Sequence, residues 1–151
     1  MKRFSFPLRP VAVLRAYREV RAREAFAAAL QRHAAAQDVL RRVGVRMRAL
    51  EAALFNSREK NFRPAEAALL LADYRRECAS EHEAERLMIV AQDEAQKARI
   101  EYLEAHRQLK IVNRLEEKAR EEHRYENNRV EQAEMDELAG QRRVQPFALS
   151  L

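Results

Sequence analysis

The placement of the prolines constrains the fold of this chain more than any other feature of its sequence. The chain has four of them, Pro7, Pro10, Pro64 and Pro146. The stretches 11–63 and 65–145 therefore contain none. A proline inside a helix costs about 3 kcal/mol, because it removes a backbone hydrogen bond and clashes with the preceding turn. The spacing permits two very long helices, and the polar stretch 56–64 between them is typical of a corner.

The composition agrees with long helices and excludes several other classes of protein. Of the 151 residues 35% are charged, and only two are glycine, which is too few for a phosphate-binding loop. The single cysteine cannot supply a disulfide framework or a thiolate zinc site. No apolar run approaches the roughly 18 residues of a membrane-spanning helix. We therefore predict a cytoplasmic protein without a metal, a cofactor or direct membrane insertion.

Both proline-free stretches carry a heptad repeat, in which apolar residues recur at alternate steps of three and four. We call the positions with this spacing the seam of each helix. In the second stretch the seam comprises Ala84, Met88, Ala91, Ala95, Ala98, Tyr102, Ala105, Leu109 and Val112, and it extends back to Leu70 and Tyr74. In the first stretch it comprises Leu40, Val43, Met47, Leu50 and Leu54. Earlier apolar residues there hold no single phase. Two seams joined by a polar corner predict an all-α fold, an antiparallel coiled-coil hairpin.

The hairpin should have unequal arms. We predict one domain over 1–151, with a first helix at about 8–57, a corner at about 58–64, a second helix at about 65–140 and a flexible tail at 141–151. Folding about residue 61 would place residue i near residue 122 minus i, so little of the first helix would remain beyond about residue 121. Past Val112 the same register falls mainly on polar residues such as Glu116, His123 and Glu126. The second helix is therefore expected to be longer and to overhang its partner.

The charge is divided unevenly between the two arms. Residues 1–63 carry 15 Lys and Arg against 5 Asp and Glu, whereas residues 64–151 carry 14 against 19. A basic helix thus has an acidic partner in the same chain, which favours pairing within the hairpin. Because no basic run is interleaved with stacking aromatic residues, the sequence argues against binding to nucleic acid.

Motifs at both ends of the chain resemble those of one known family. The overhang contains Asn-Arg-Val-Glu-Gln-Ala-Glu-Met-Asp-Glu-Leu-Ala at 128–139, and the chain opens with Lys-Arg-Phe-Ser-Phe-Pro-Leu at 2–8, followed by Val-Leu-Arg at 13–15. These segments are similar to the C-terminal signature and the usual start of FliJ, the small stalk protein of the flagellar type III export apparatus. The predicted hairpin resembles FliJ over the whole chain, whereas the motifs cover only its two ends.

The resemblance implies a function without catalysis. FliJ proteins insert the end that carries both termini into the pore of the hexameric flagellar export ATPase, promote assembly of that ring, and link it to the export gate membrane protein. They also handle empty substrate chaperones. The implied location is cytoplasmic, peripherally associated with the membrane-bound export apparatus. The partner-binding residues carried over from the motifs are Asn128, Arg129, Gln132, Met135, Asp136, Glu137, Leu138, Phe4, Phe6 and Leu8.

Other residues of the chain carry no recognisable pattern for a different chemistry. The four histidines, His33, His82, His106 and His123, lack the spacing of metal ligands and are predicted to be surface residues. Cys78 is predicted to be a structural thiol, since no positioned base accompanies it. We therefore expect no catalytic, cofactor-binding or metal residues and no enzyme. The alternatives are the injectisome counterpart of the same stalk protein and a generic structural coiled-coil scaffold; the Phe-x-Phe-Pro-Leu start favours the flagellum.

Overall fold

Two helices make up almost all of the described chain. The computed structural model describes residues 3–59 and 63–144, and the side chains of all of these except 142–144. Helix α1 spans Arg9–Glu59 and helix α2 spans Pro64–Val144, with 51 and 81 residues. No strand occurs within these described ranges. The two helices pack against each other and α2 is the longer, so the predicted all-α hairpin is confirmed.

The helix bounds differ from the predicted ones by a few residues. Helix α1 begins one residue later than predicted and ends two residues later, and α2 begins one residue earlier and ends four residues later. Glycine commonly ends a helix by adopting a positive φ. Gly140, at the predicted end of the second helix, does not have a positive φ, and α2 continues through it. Residues 60–62 of the predicted corner and residues 145–151 of the predicted tail lie outside the described residues.

The ends of both helices have identifiable local causes. Helix α1 begins where the Arg9 N–H donates to the Phe6 carbonyl at 3.2 Å, and Pro10 occupies its first turn, where a missing N–H costs little. Helix α2 begins at Pro64 for the same reason, and the Arg63 carbonyl accepts the N–H of Glu66 at 3.0 Å. The Glu66 carboxylate in this first turn also interacts favourably with the helix dipole.

The chain divides into two compact units. One contains residues 3–17 and 106–144, and the other contains the described residues between 18 and 105. Each unit takes a part of α1 and a part of α2. In the larger unit the buried apolar side chains are Ala29, Val43, Met47, Ala84 and Ala95, whereas in the smaller unit they are Phe6 and Val112. All of these except Phe6 occupy seam positions, so each core is a narrow line between two helices.

The seam of α2 lies where the heptad predicts. Ala84, Ala95 and Val112 are buried, and the other predicted seam residues from Leu70 to Leu109 are half-buried. Glu77 and Glu81 stand in the same register and are half-buried as well. The polar interruption therefore does not break the packing.

The seam of α1 extends further towards the N-terminus than the apolar pattern indicated. The same steps of three and four run back through Phe26 and Ala29 to Glu19 and Ala12, all of which are buried or half-buried. Large apolar residues nearby, such as Leu14 and Leu30, lie outside the seam and are exposed. Because alanine and charged residues occupy the seam here, hydrophobicity alone could not reveal its phase.

Contacts between the helices fix an antiparallel register. In the larger unit, Arg32 pairs with Glu94 at 3.7 Å, Arg46 pairs with Glu77 at 3.2 Å, and the Tyr74 hydroxyl donates to Glu51 at 3.1 Å. In both ion pairs the arginine belongs to α1 and the carboxylate to α2. The opposite charges of the two arms thus meet, although exposed pairs of this kind contribute little to stability.

The register differs slightly from the one predicted from the sequence. Folding about residue 61 would place Arg32 opposite residue 90 and Glu51 opposite residue 71, but their partners are Glu94 and Tyr74. Side chains in a helix lean towards its N-terminus, so each covers a spot about one residue before its own Cα. In an antiparallel pair this lean moves the contacting residues of both helices to higher numbers. The midpoint between the end of α1 at Glu59 and the start of α2 at Pro64 also lies slightly beyond residue 61, which shifts the register in the same direction.

Candidate partner-binding segment

The last part of α2 has no cover in the described chain. Every described side chain from 128 to 141 is exposed, and we call these residues the free end of α2. Met135 and Leu138 keep 68% and 58% of their surface exposed. No side chain of the free end makes a hydrogen bond or ion pair with any described residue. Large apolar side chains thus stand in solvent on a helix whose seam has ended.

The seam of the smaller unit ends close to residue 127. Glu116, Ala119, His123 and Asn127 are still half-buried. Val130, the next apolar residue in the register, is exposed. The second helix therefore overhangs, as the register predicted, and the free end begins at Asn128.

The non-helical segment before α1 covers the base of the free end. We call residues 3–8 the N-terminal strap. Phe6 keeps only 8% of its surface exposed, and the Phe4 ring meets the His123 ring edge to face with centroids 5.5 Å apart. The strap thus covers the part of α2 that lies beyond the first residue of α1.

A cation also packs on the strap. The Arg120 guanidinium lies 5.3 Å from the centre of the Phe4 ring, close enough for a cation–π interaction. Arg120 is itself held by Glu116 one turn earlier, through two hydrogen bonds of 2.7 and 3.2 Å. One turn after His123 in α2, the Nδ2 atom of Asn127 lies 3.4 Å from His123 Nδ1. These side chains form a small cluster that fixes the strap immediately before the free end.

The residues carried over from the family motifs fall into two separate groups. Seven of them, from Asn128 to Leu138, lie on the free end, and the ring contacts of Phe4 reach only as far as residue 123. Leu8 is 40% exposed and begins the entry into α1, where its carbonyl accepts the Ala12 N–H. The motifs assign no role to Arg120 or His123, which only their contact with Phe4 distinguishes, or to Asn127, which lies beside His123.

The helical period divides the free end into faces. Asn128, Gln132 and Met135 recur at steps of four and three and share one face. Arg129 and Asp136, seven residues apart, share the neighbouring face, whereas Glu137 points to the opposite side. The free end thus offers a polar surface with one methionine on it, bordered by Leu138.

The remaining candidates for chemistry lie outside the free end. His33 and His123 are half-buried at seam positions, so the prediction that the histidines lie on the surface is wrong for these two. Cys78 is half-buried close to Tyr74, and the hydrogen bond to Glu51, together with the thiol of Cys78, raises the pKa of Tyr74. Among the described residues no cluster of three His, Cys, Asp or Glu side chains could hold a metal ion. None of the described helices has an apolar stretch long enough to span a membrane.

Comparison with known proteins identifies one similar family. A family model described as the flagellar FliJ protein matches residues 4–145, which is nearly the whole chain. The match includes most of the N-terminal strap, both helices and the entire free end. No curated protein matches the chain, and no solved structure does.

Proposed function

The chain belongs to the FliJ family of the flagellar protein export apparatus, and from this membership we propose that it is a non-enzymatic stalk subunit of that apparatus. In this proposal the free end of α2 enters the pore of the hexameric export ATPase and stabilises the assembled ring. The subunit also couples the ring to the export gate membrane protein and to substrate chaperones. It would lie in the cytoplasm, peripherally associated with the membrane-bound apparatus.

The exposure of the free end is the observation that carries this proposal. The 14 residues from 128 to 141 are helical and uncovered, and at 1.5 Å per residue they span about 21 Å. A helix of that length is marginal by itself in water, so it depends on the rest of α2 for its order. Its mixture of charged and apolar side chains suits a pore lined with polar groups better than a dry core. The exposed apolar side chains of Met135 and Leu138 favour a segment that binds a partner over a frayed helix end.

The strap supports the same proposal from the other terminus. Because it covers the base of the free end, the only described segment that projects without cover is the one that carries the family-like motif. We assign ring contacts to Arg129 and Asp136 through their charges and to Met135 and Leu138 through apolar burial. Phe4 and Phe6 hold the base in place and do not need to touch the ring.

Truncation tests the insertion model. Removing residues 128–151 should leave both helical units folded, since no described side chain of the free end interacts with them. The truncated protein should no longer raise the turnover or the hexamer population of its cognate ATPase. Removal of residues 145–151 alone is the control and should preserve the stimulation. Equal stimulation by both truncated proteins would contradict insertion of the free end.

A charge reversal tests the contacts more finely. Arg129→Glu should weaken stimulation, and the loss should be larger at low ionic strength because salt screens charged contacts. Arg75→Glu makes the same change at an exposed position of α2 near its start and should leave stimulation unaltered. Circular dichroism of both variants separates loss of contact from loss of fold. If both reversals weakened stimulation equally, the change in the net charge of the protein, and not a specific contact of Arg129, would explain the loss.

A further inference from the structure

A second line of apolar residues runs along α2 on the side away from the seam. Val90 and Ile100 keep 43% and 59% of their surface exposed, and Ile89 and Leu103 beside them are also exposed. All four belong to the larger unit. Single exposed apolar residues are common, but four aliphatic side chains on one face within 15 residues are a feature to be explained.

The spacing of this face is that of a coiled coil. Six exposed residues follow one another at steps of four and three and are called the outer stripe: Arg86, Val90, Asp93, Lys97, Ile100 and Glu104. The same alternation generates the seam on the opposite side of the helix. A stripe of this kind stays in line with a partner helix when the two helices supercoil around each other. Another helix is therefore the shape of partner that fits it.

The order of residues in the outer stripe is complementary to its own reverse. A two-fold axis beside residue 95 places residue n of one copy opposite residue 190 minus n of the other. Arg86 then faces Glu104, Asp93 faces Lys97, and Val90 faces Ile100, and each pairing occurs twice. Every charged position thus meets the opposite charge and every apolar position meets an apolar one. In a parallel arrangement in register, each charge would instead meet its own copy.

The neighbouring residues agree with the same axis. Ile89 and Leu103 lie on one side of the outer stripe, near its two ends, with Gln96 between them. By the same rule Ile89 of one copy lies opposite residue 101 of the other, two residues from its Leu103, and Gln96 lies opposite residue 94, two residues from its own copy. Neither Asp93 nor Lys97 makes an ion pair with another described residue. Arg86 pairs with Glu83 at 2.7 Å, but both side chains are more than half exposed, so exchanging that partner costs little.

We propose that the outer stripe of α2 is the interface of an antiparallel homodimer, formed with a second copy of this chain. The association is weak, because a single helix face buries little area compared with a stable dimer. The opposite charges fix its direction and register, while Val90 and Ile100 supply the apolar contact. This surface does not include the free end, so the proposal goes beyond the stalk function and is independent of it.

Sedimentation equilibrium at low ionic strength tests the proposal, at concentrations from about 1 µM to about 1 mM, the range of weak complexes. The unaltered chain should form dimers in the upper part of this range. Lys97→Glu replaces two attractive contacts by two repulsive ones and should weaken dimerisation about tenfold or more. The double variant Asp93→Lys with Lys97→Glu restores both pairs by symmetry and should recover most of the lost association.

Two controls make the result specific. Arg42→Glu makes the same change of charge at an exposed position of α1 and should leave dimerisation unchanged. In a Cys78→Ser background, cysteines at positions 90 and 100 should form a covalent dimer on oxidation. A chain that remains monomeric at the highest concentration would overturn the proposal and leave the outer stripe to a different partner helix. Equal effects of Lys97→Glu and Arg42→Glu, or a double variant as weak as the single one, would also overturn it.

Discussion

At the scale of single residues, His33 shows how polar groups are tolerated in this narrow core. It occupies a seam position of α1, and its Nε2 atom is buried without a hydrogen-bond partner among the described residues. A buried polar atom that loses its water without gaining a partner costs about 1–3 kcal/mol. The unpaired Nε2 atom of His33 therefore lowers the stability of the protein, and an apolar side chain would pack better at this position of the seam.

The variant His33→Leu should therefore stabilise the protein by about 1 kcal/mol, because leucine fills a similar space without an unpaired nitrogen. Urea unfolding followed by circular dichroism measures the change in the free energy of unfolding. His82→Leu at an exposed position of α2 is the control and should change the stability by less than about 0.5 kcal/mol. A destabilised His33→Leu variant would show that Nε2 has a partner in solution.

Two valines on α1 offer a matched comparison of burial. Val43 keeps 2% of its surface exposed, whereas Val45 keeps 53%. Val43→Ala should lower the free energy of unfolding by about 1–2 kcal/mol, since two methyl groups leave the core. Val45→Ala should leave it unchanged or slightly raised, because alanine is the better helix former. Thermal or urea unfolding measures the stability of the two variants. If their free energies of unfolding were equal, Val43 would not belong to the buried seam.

At the scale of the elements, the strap and α2 depend on each other. Helix α1 begins at Arg9, and beyond it the Phe4 ring of the strap contacts Arg120 and His123 of α2. Phe6 is buried in the same strap. An irregular segment can cover α2 in this way because the two aromatic rings supply much of the apolar area that a helical turn would bring. The strap therefore defines where the cover of α2 ends and where its free end begins.

The variant Phe6→Ala should loosen this junction. Loss of a buried ring should speed hydrogen exchange of the α2 amides between about residues 116 and 127, while the amides of the larger unit should exchange as before. Leu8→Ala is the control, since Leu8 is 40% exposed and has less packing to lose. Unchanged exchange in Phe6→Ala would mean that the strap does not hold the base of the free end.

At the scale of the whole molecule, one chain supplies both arms of its own coiled coil. Ion pairs between α1 and α2 join residues that are distant in sequence, and the basic arm meets the acidic one. Narrow packing against alanine leaves much of each helix exposed, so the molecule gains little from burial per residue. Such a fold leaves long helical faces exposed to solvent.

The antiparallel register can be checked by a disulfide within one chain. The contacts between the helices place Ala29 opposite residues 94–97 of α2, and Ala29 and Ala95 are both buried. With Cys78 replaced by serine, cysteines at 29 and 95 should form an intramolecular disulfide on mild oxidation. Cysteines at 29 and 91, one turn away, should react more slowly. Crosslinks found only between chains in non-reducing electrophoresis would contradict the hairpin.

The sequence by itself determined the two helices, the seam of α2 and the overhang. These follow from local rules, because proline excludes itself from helix interiors and a heptad of apolar residues marks its own buried face. The tertiary structure alone decided the seam of α1 before Leu40, where Glu19 fills a buried position and His33 a half-buried one that their polarity conceals. It also decided the exact opposition of the arms, since the lean of side chains moves each contact by a residue or more. The contact of Phe4 with His123 and Arg120 joins positions more than 115 residues apart, and no periodic pattern in either stretch encodes it.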